Sequence, residues 1–387
     1  MQPRLLYTSF DEVPGPKGAS THIEAFTRAI GENFGDVVLV TPGVVDLELR
    51  EVFPRVRQLV LGCPGENPIA RARVFRTKLA DVLERQAFDV IHFRSIFEGV
   101  PITDPSLNRG AKLIYEANGF PSIELKYHYR KVAGDDSFLG RTERQEQTCL
   151  DAADRIVTVS DVTAAYIASR GVSDQNISII RNGVDREVFP FARPPEAKPD
   201  ELLRLCYIGT LTGWQGIETL LEAVELLRKH QLVQLTIMGP QPKHRKRQLD
   251  REIERLRIAD DVKFLDPAPK REVCRLLHDS HFCVVPLMGV DRNTVQGCCP
   301  LKMIEAMAAG CPVVASNLPI VAELGTPNEH FAPVRSGDAR NLRNVVLELI
   351  ADRTRVTDMV LAANNRAAQL TWTASCKQLI ALYEHLL

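Results

Sequence analysis

The stretch Pro300-Leu-Lys-Met-Ile-Glu305-Ala-Met-Ala-Ala-Gly310-Cys-Pro-Val-Val-Ala-Ser316 reads as a helix passing straight into a buried strand. Pro300 suits a helix start and Gly310 a helix stop, while Lys302 and Glu305, three residues apart, share one face. A lysine near a helix N-terminus opposes the macrodipole, which is tolerable where an anion such as a diphosphate binds. Glu305 is suited to accept hydrogen bonds from a ribose diol. A solvent-exposed Lys–Glu pair is the plain alternative. A second signal is Gly15-Pro-Lys-Gly18-Ala-Ser-Thr-His22, where a strand runs into a helix. Glycines there let the backbone approach a phosphate, and the helix amides donate to it. The spacing is neither GxGxxG nor GxxxxGK(S/T), which disfavours dinucleotide and P-loop readings. Ser20 or Thr21 as an ordinary N-cap explains the segment equally well.

These residues need elements to hold them. Short apolar runs at Leu5–Thr8, Val37–Val40, Val90–Phe93, Leu113–Tyr115, Ile156–Val159 and Ile177–Ile180 read as strands. Helical patterns lie between several of them, at Glu24–Asn33, Arg71–Arg85 and Ala164–Arg170. The proline-rich, charged segment Arg193–Asp200 reads as a linker. The alternation then restarts, with strands at Arg204–Tyr207, Leu235–Met238, Val262–Leu265, Phe282–Val285 and Val313–Ala315. Helices are expected at Ile217–Lys229, Arg247–Arg257, Glu272–Asp279, Leu301–Ala309 and Ala339–Ile350. Continuous apolar strands alternating with helices imply parallel sheets covered on both faces. The expected fold is α/β, with two doubly wound Rossmann-like domains facing across a cleft, at residues 1–190 and 200–366. Ligands of such sheets bind at the carboxyl ends of the strands.

Composition narrows the function classes. A chain of 387 residues with 45% hydrophobic and 25% charged residues is an ordinary globular protein of about two domains. A net charge of −1 gives no general reason to bind nucleic acid. The nine cysteines form no CxxC pair, as expected of reduced, mostly buried thiols in a cytoplasmic protein. The opening MQPRLLYTSF lacks a signal-peptide core, and Phe282–Val290 is far short of the ~20 residues of a membrane span. A peripheral contact with the inner face of a membrane stays compatible with this.

The Glu-Ala-Met-Ala-Ala-Gly-x-Pro-Val-Val-Ala-Ser string resembles the donor-binding signature of family 4 retaining glycosyltransferases, which have the GT-B fold. Asp89-Val-Ile-His92, Ile114-Tyr-Glu-Ala-Asn118-Gly, Val157-Thr-Val-Ser160, Arg181-Asn-Gly-Val-Asp185 and Tyr207-Ile-Gly209-Thr-Leu-x-x-Trp214-Gln-Gly216 follow in the family order. A last helix near Ala374–Leu386, within 370–387, would cross back to the N-terminal domain. The resemblance implies a nucleotide-diphospho-sugar donor held mainly by the C-terminal domain and a hydroxyl acceptor held by the N-terminal domain. It further implies catalysis by electrostatic stabilisation of the departing diphosphate, with no metal or other cofactor. The implied donors to that charge are amides around Gly18, of Gly209 and Thr210, and of Gly297 to Leu301, together with Lys302. Glu305 would bind the ribose, and the backbone near Leu265 would meet the base.

The chain departs from the family pattern. Thr210 and Gln215 stand where many relatives carry an Arg and a Lys, and Lys302 or a residue of Arg292-Asn293 is the candidate to compensate. The first Glu of the Glu-x7-Glu pair is Gly297 by strict spacing, or Gln296 after a one-residue slip. Leu318-Pro319 replaces the usual glycine pair, and Asn118 replaces the His often found after its strand. An amide can hydrogen-bond a sugar hydroxyl but is no base near pH 7.

Other features have ordinary explanations. His278 and His281 lack the further ligands of a metal set. Lys243–Arg257 reads as a salt-bridged helix, and without interleaved aromatics it is no nucleic-acid surface. Lys126-Tyr127-His-Tyr-Arg-Lys131 suits a sugar or an anionic lipid headgroup, which makes Lys126 and Tyr127 candidate acceptor contacts; a plain loop is the alternative. His92 reads as structural. A sugar-nucleotide epimerase, a nicotinamide oxidoreductase and a non-catalytic nucleotide-binding protein are the rival functions.

Overall fold

The computed structural model describes residues 2–15, 18–65, 67–129 and 131–387. Pro16 and Lys17 of the glycine segment and Arg130 of the aromatic–basic run lie outside the described residues. The chain forms two compact units, Met1–Arg181 with Thr373–Leu387, and Asn182–Trp372. The proline-rich stretch Arg193–Asp200 falls inside the second unit.

The first unit holds an eight-stranded sheet: β1 (Leu5–Thr8), β2 (Val37–Gly43), β3 (Leu47–Phe53), β4 (Val56–Gly62), β5 (Val90–Phe93), β6 (Lys112–Glu116), β7 (Arg155–Thr158) and β8 (Ile177–Ile179). Their order is β3-β4-β2-β1-β5-β6-β7-β8. Only the β3–β4 pair is antiparallel. All four residues of β5 are buried, as a strand covered on both faces requires. Phe75, Leu79 and Leu83 of the helix Pro68–Arg85 pack with Leu6, Ile91 and Tyr115 of the sheet into one core.

The second unit holds six parallel strands: β9 (Leu203–Ile208), β10 (Val233–Met238), β11 (Val262–Leu265), β12 (Phe282–Val285), β13 (Val313–Ser316) and β14 (Ala332–Val334). Their order is β11-β10-β9-β12-β13-β14. Leu220, Leu221, Val224 and Leu227 of the helix Ile217–Leu227 are fully buried against β9 and β10. Truncating one such leucine to alanine costs about 2–5 kcal/mol. Both units are therefore doubly wound Rossmann-like domains, and the strand order reverses between β1 and β5 in one and between β9 and β12 in the other. Ligands of open α/β sheets bind at such reversals, beyond the carboxyl ends of the strands.

Three elements differ from the sequence expectation. The β3–β4 hairpin escapes notice because LELREVF carries three charges and lies largely exposed. Strand β14 contains Pro333, which is tolerated because β14 is an edge strand. Lys126 and Tyr127 belong to a helix, Pro121–His128, that starts on Pro121.

Candidate functional site

In the second unit, β9 and β12 deliver their loops to the reversal point. After β9, Gly209 turns with φ +142, and an added Cβ would lie 2.9 Å from Lys302 Nζ. Tyr207, fully buried, donates its hydroxyl to the Thr210 carbonyl at 2.6 Å. Lys302 Nζ donates to the Tyr207 hydroxyl at 2.9 Å and to Gln215 Oε1 at 2.6 Å, and stands 4.0 Å from the Tyr207 ring centroid. Every polar partner of this ammonium is neutral. Burial accordingly pulls Lys302 down to about 7. No side chain of the N-cap residue Pro300 caps the helix Leu301–Ala309; the Met303 amide donates to the Pro300 carbonyl at 3.1 Å, and the Leu301 and Lys302 amides precede it in the same turn.

Glu305 lies on the same face, partly buried. Burial lifts its carboxyl to about 7, against the pull of Lys270 and Lys302. Burial thus makes both charged forms costly at this turn. Leu265 ends β11 and accepts from the Gly239 amide at 3.1 Å. Gly239 cannot carry a side chain, since a Cβ there would meet the Gly209 carbonyl at 2.0 Å. Asn182, of the Arg181-Asn-Gly string, donates to the Cys299 carbonyl at 2.9 Å and steadies the approach to Leu301.

The proposed compensating residues Arg292 and Asn293 serve the loop instead. Arg292 donates to the Gly297 carbonyl at 2.9 Å and lies 5.3 Å from the Trp214 ring. Asn293, fully buried, donates to the carbonyls of Trp214 and Met288 at 3.0 and 2.8 Å. Gln296 is buried in the turn before Gly297, which adopts φ +82. Of the positions expected to hold the donor, Gly209, Thr210, Gln215 and Lys302 are joined through Tyr207, with Leu301 at the same helix start.

The first unit builds a different centre. Glu116, fully buried at the end of β6, accepts from Tyr7 (2.5 Å) and from Arg94 Nε (2.7 Å). It also accepts from the Asn118 amide. His22 and His92 stand 3.0 and 3.2 Å from its oxygens. Burial alone would raise its pKa, but His22 and Arg94 outweigh it and hold the carboxyl well below the usual range. His92 is pushed down by burial and meets the Tyr383 hydroxyl at 3.0 Å, in keeping with a structural role. Arg94 also reaches Asp11 at 3.0 Å.

Asn118 opens onto a cavity of about 250 Å3 beside a second of about 450 Å3. Leu125, His128 and Tyr129 line the larger one. Lys126 and Tyr127, expected to contact acceptor, line neither; Tyr127 packs against the unit's core instead. Helical rotation of about 100° per residue turns them off the wall. Gly18 is exposed and opens the helix Gly18–Phe34. Ser20 Oγ accepts from the Gly15 amide at 2.8 Å, tying down the loop rather than capping that helix.

The sequence reading gave no role to Glu116, Arg94, Asp11 or Glu98. The signal for them was positional, since Asp11, Arg94 and Glu98 follow the two strands that flank the reversal and Glu116 ends the neighbouring strand β6. His281 accepts from the Arg204 amide at 2.9 Å, and His278 meets the Pro190 carbonyl at 2.9 Å, so both are structural. Among the described residues, no three His, Cys, Asp or Glu gather as a metal site, and no helix is long and apolar enough to cross a membrane.

Comparison with known proteins places this geometry in context. The model described as Glycosyltransferase Family 4 matches residues 16–188, and that described as Glycosyl transferases group 1 matches 203–352. D-inositol 3-phosphate glycosyltransferase 2 of Catenulispora acidiphila is 25% identical over 394 residues, covering 93% of this chain and 85% of that protein. Glycogen synthase of Mycobacterium tuberculosis is 28% identical over 49% of this chain and 44% of its own length. Sucrose-phosphate synthase from Thermosynechococcus elongatus superposes with a TM-score of 0.82 at 20% identity over 99% of both chains. HepE of Anabaena, solved with UDP and glucose, gives 0.75 at 15% identity, again over 99% of both. The fold these two structures share is that of the GT-B glycosyltransferases.

Proposed function

Because this chain belongs to glycosyltransferase family 4, we propose that it moves a sugar from a nucleotide-diphospho-sugar to an acceptor hydroxyl, with retention of anomeric configuration and without a metal. The observation that carries the reading is Lys302, a partly buried ammonium with only neutral partners at an uncapped helix start. A diphosphate supplies the anion this arrangement lacks. In the reaction the bond from the anomeric carbon to the diphosphate oxygen breaks, and the electron pair stays with the diphosphate. The acceptor oxygen bonds to the same face, and its proton passes to the departing phosphate. Lys302, the Thr210 amide and the first amides of the Leu301 helix stabilise the charge that accumulates on the diphosphate. Glu305 accepts from the ribose diol.

The acceptor is assigned to the first unit, where Asn118 faces the 250 Å3 cavity. HepE is solved with UDP, which makes UDP the first nucleotide to try. The test is a thermal-shift screen with UDP, GDP, ADP, TDP and CDP, since a ligand of the native state raises its Tm. At least one should raise it. A flat response to all five sinks the donor site, and an inverted anomer in the product, read by NMR, sinks retention.

A further inference from the structure

We propose that the 250 Å3 cavity of the first unit is a subsite for one uncharged polyol ring of the acceptor, and that its side chains discriminate against a phosphorylated ring. The inference rests on the assignment of the acceptor to this unit. The cavity lies below the roughly 300–1,000 Å3 of sites for drug-sized ligands, a size for a single ring.

Two of the residues that line it each carry a buried polar atom with no partner among the described residues, Glu98 Oε2 and Asn118 Oδ1. Such atoms are costly unless a ligand satisfies them. Glu98 is fully buried, and its other oxygen accepts from the Arg94 amide at 3.1 Å. Burial first, and then the charge of Asp11, push its carboxyl up to about 8, so near pH 7 it is an uncharged acid that both donates and accepts. Asn118 donates one N–H to Glu116, and its Oδ1 can only accept. A donor-and-acceptor beside an acceptor complements neighbouring hydroxyls of a ring. Phe10 and Phe97, whose own rings lie 5.1 Å apart, supply an apolar wall for its C–H face.

The charges point the same way. Arg94 is the one basic residue among the described residues lining this cavity, and its guanidinium is spent on Glu116 and Asp11. Glu124 adds a further carboxylate to the wall. A phosphate dianion entering here meets carboxylates and no uncommitted cation.

The test measures binding of myo-inositol and of 1D-myo-inositol 3-phosphate to the full chain in the presence of saturating UDP, by saturation-transfer NMR and calorimetry. The unphosphorylated ring should bind at least tenfold more tightly. Glu98→Gln, which keeps an uncharged donor and acceptor, should retain it, whereas Glu98→Leu should weaken it at least tenfold. Asp11→Asn removes one of the two carboxylates that hold the Arg94 guanidinium and should narrow the discrimination. Preference for the phosphorylated ring, absence of binding by either ring, or indifference to Glu98→Leu in a variant with unchanged melting temperature overturns the subsite. If UDP itself produces no thermal shift, the donor reading has failed instead, so the two failures are distinguishable.

Discussion

Binding of a nucleoside diphosphate at Lys302 should be visible as proton uptake. Before a ligand binds Lys302 sits at about 7, because burial outweighs the opposing pull of Cys283, Cys298 and Glu305. At pH 8 roughly one molecule in ten then carries the ammonium, and a bound diphosphate restores it to nearly all, an uptake of about 0.9 proton. The diphosphate is already fully ionised at this pH, and Glu305, also near 7, is mostly ionised before binding, so neither cancels the effect. By linkage, UDP affinity should fall by close to tenfold between pH 8 and pH 9. The assay is calorimetry at pH 8 in phosphate and in Tris, whose protonation enthalpies differ. The apparent binding enthalpy should differ between the buffers in proportion to the uptake, and Lys302→Met should abolish that difference. Equal heats in both buffers for the unaltered protein would show that Lys302 is charged before the ligand arrives, and the electrostatic argument for the donor site would fail.

Glu305→Ala should weaken UDP binding by about 1–3 kcal/mol, the worth of hydrogen bonds to a charged group, with calorimetry as the check. Glu116→Leu should cost about 3–5 kcal/mol of stability in denaturant melts, because it strands the Arg94 guanidinium in the interior. Since Glu116 is held ionised below the usual carboxylate range, its contribution should persist at neutral pH and fade only as acid protonates it. Gly239→Ala should cost a few kcal/mol of stability and impair UDP binding, because its Cβ would fall on the Gly209 carbonyl. Sugar transfer should continue in EDTA; complete loss restored by Mg2+ contradicts the metal-free mechanism.

Much of the fold was legible because fully covered strands are written as unbroken apolar runs, as in VIHF of β5 and VVAS of β13. The β3–β4 hairpin was not, since its exposed face carries the charges that mark loops elsewhere. On the donor side, Lys302 and Glu305 stood out through spacing and through the conflict of a lysine with a helix N-terminus. Tyr207 did not, because a tyrosine in an apolar strand looks the same whether or not its hydroxyl bridges a lysine and a turn. Glu116 shows the limit most clearly. A glutamate's burial is invisible in sequence, and its partners Tyr7, Arg94 and Asn118 come from three separate places in the chain. Lys126 and Tyr127 had suitable chemistry, but on a short helix one position of rotation separates the cavity wall from the core.

The first unit is discontinuous, and Tyr383, from its last segment, is fully buried against His92 in the network around Glu116. During synthesis the residues of the second unit all leave the ribosome before that segment does. The second unit is therefore free to mature while the first still waits for its closing piece, with His92 lacking its hydroxyl partner. Completion of the centre around Glu116 is thus deferred until the whole of the second unit has been synthesised.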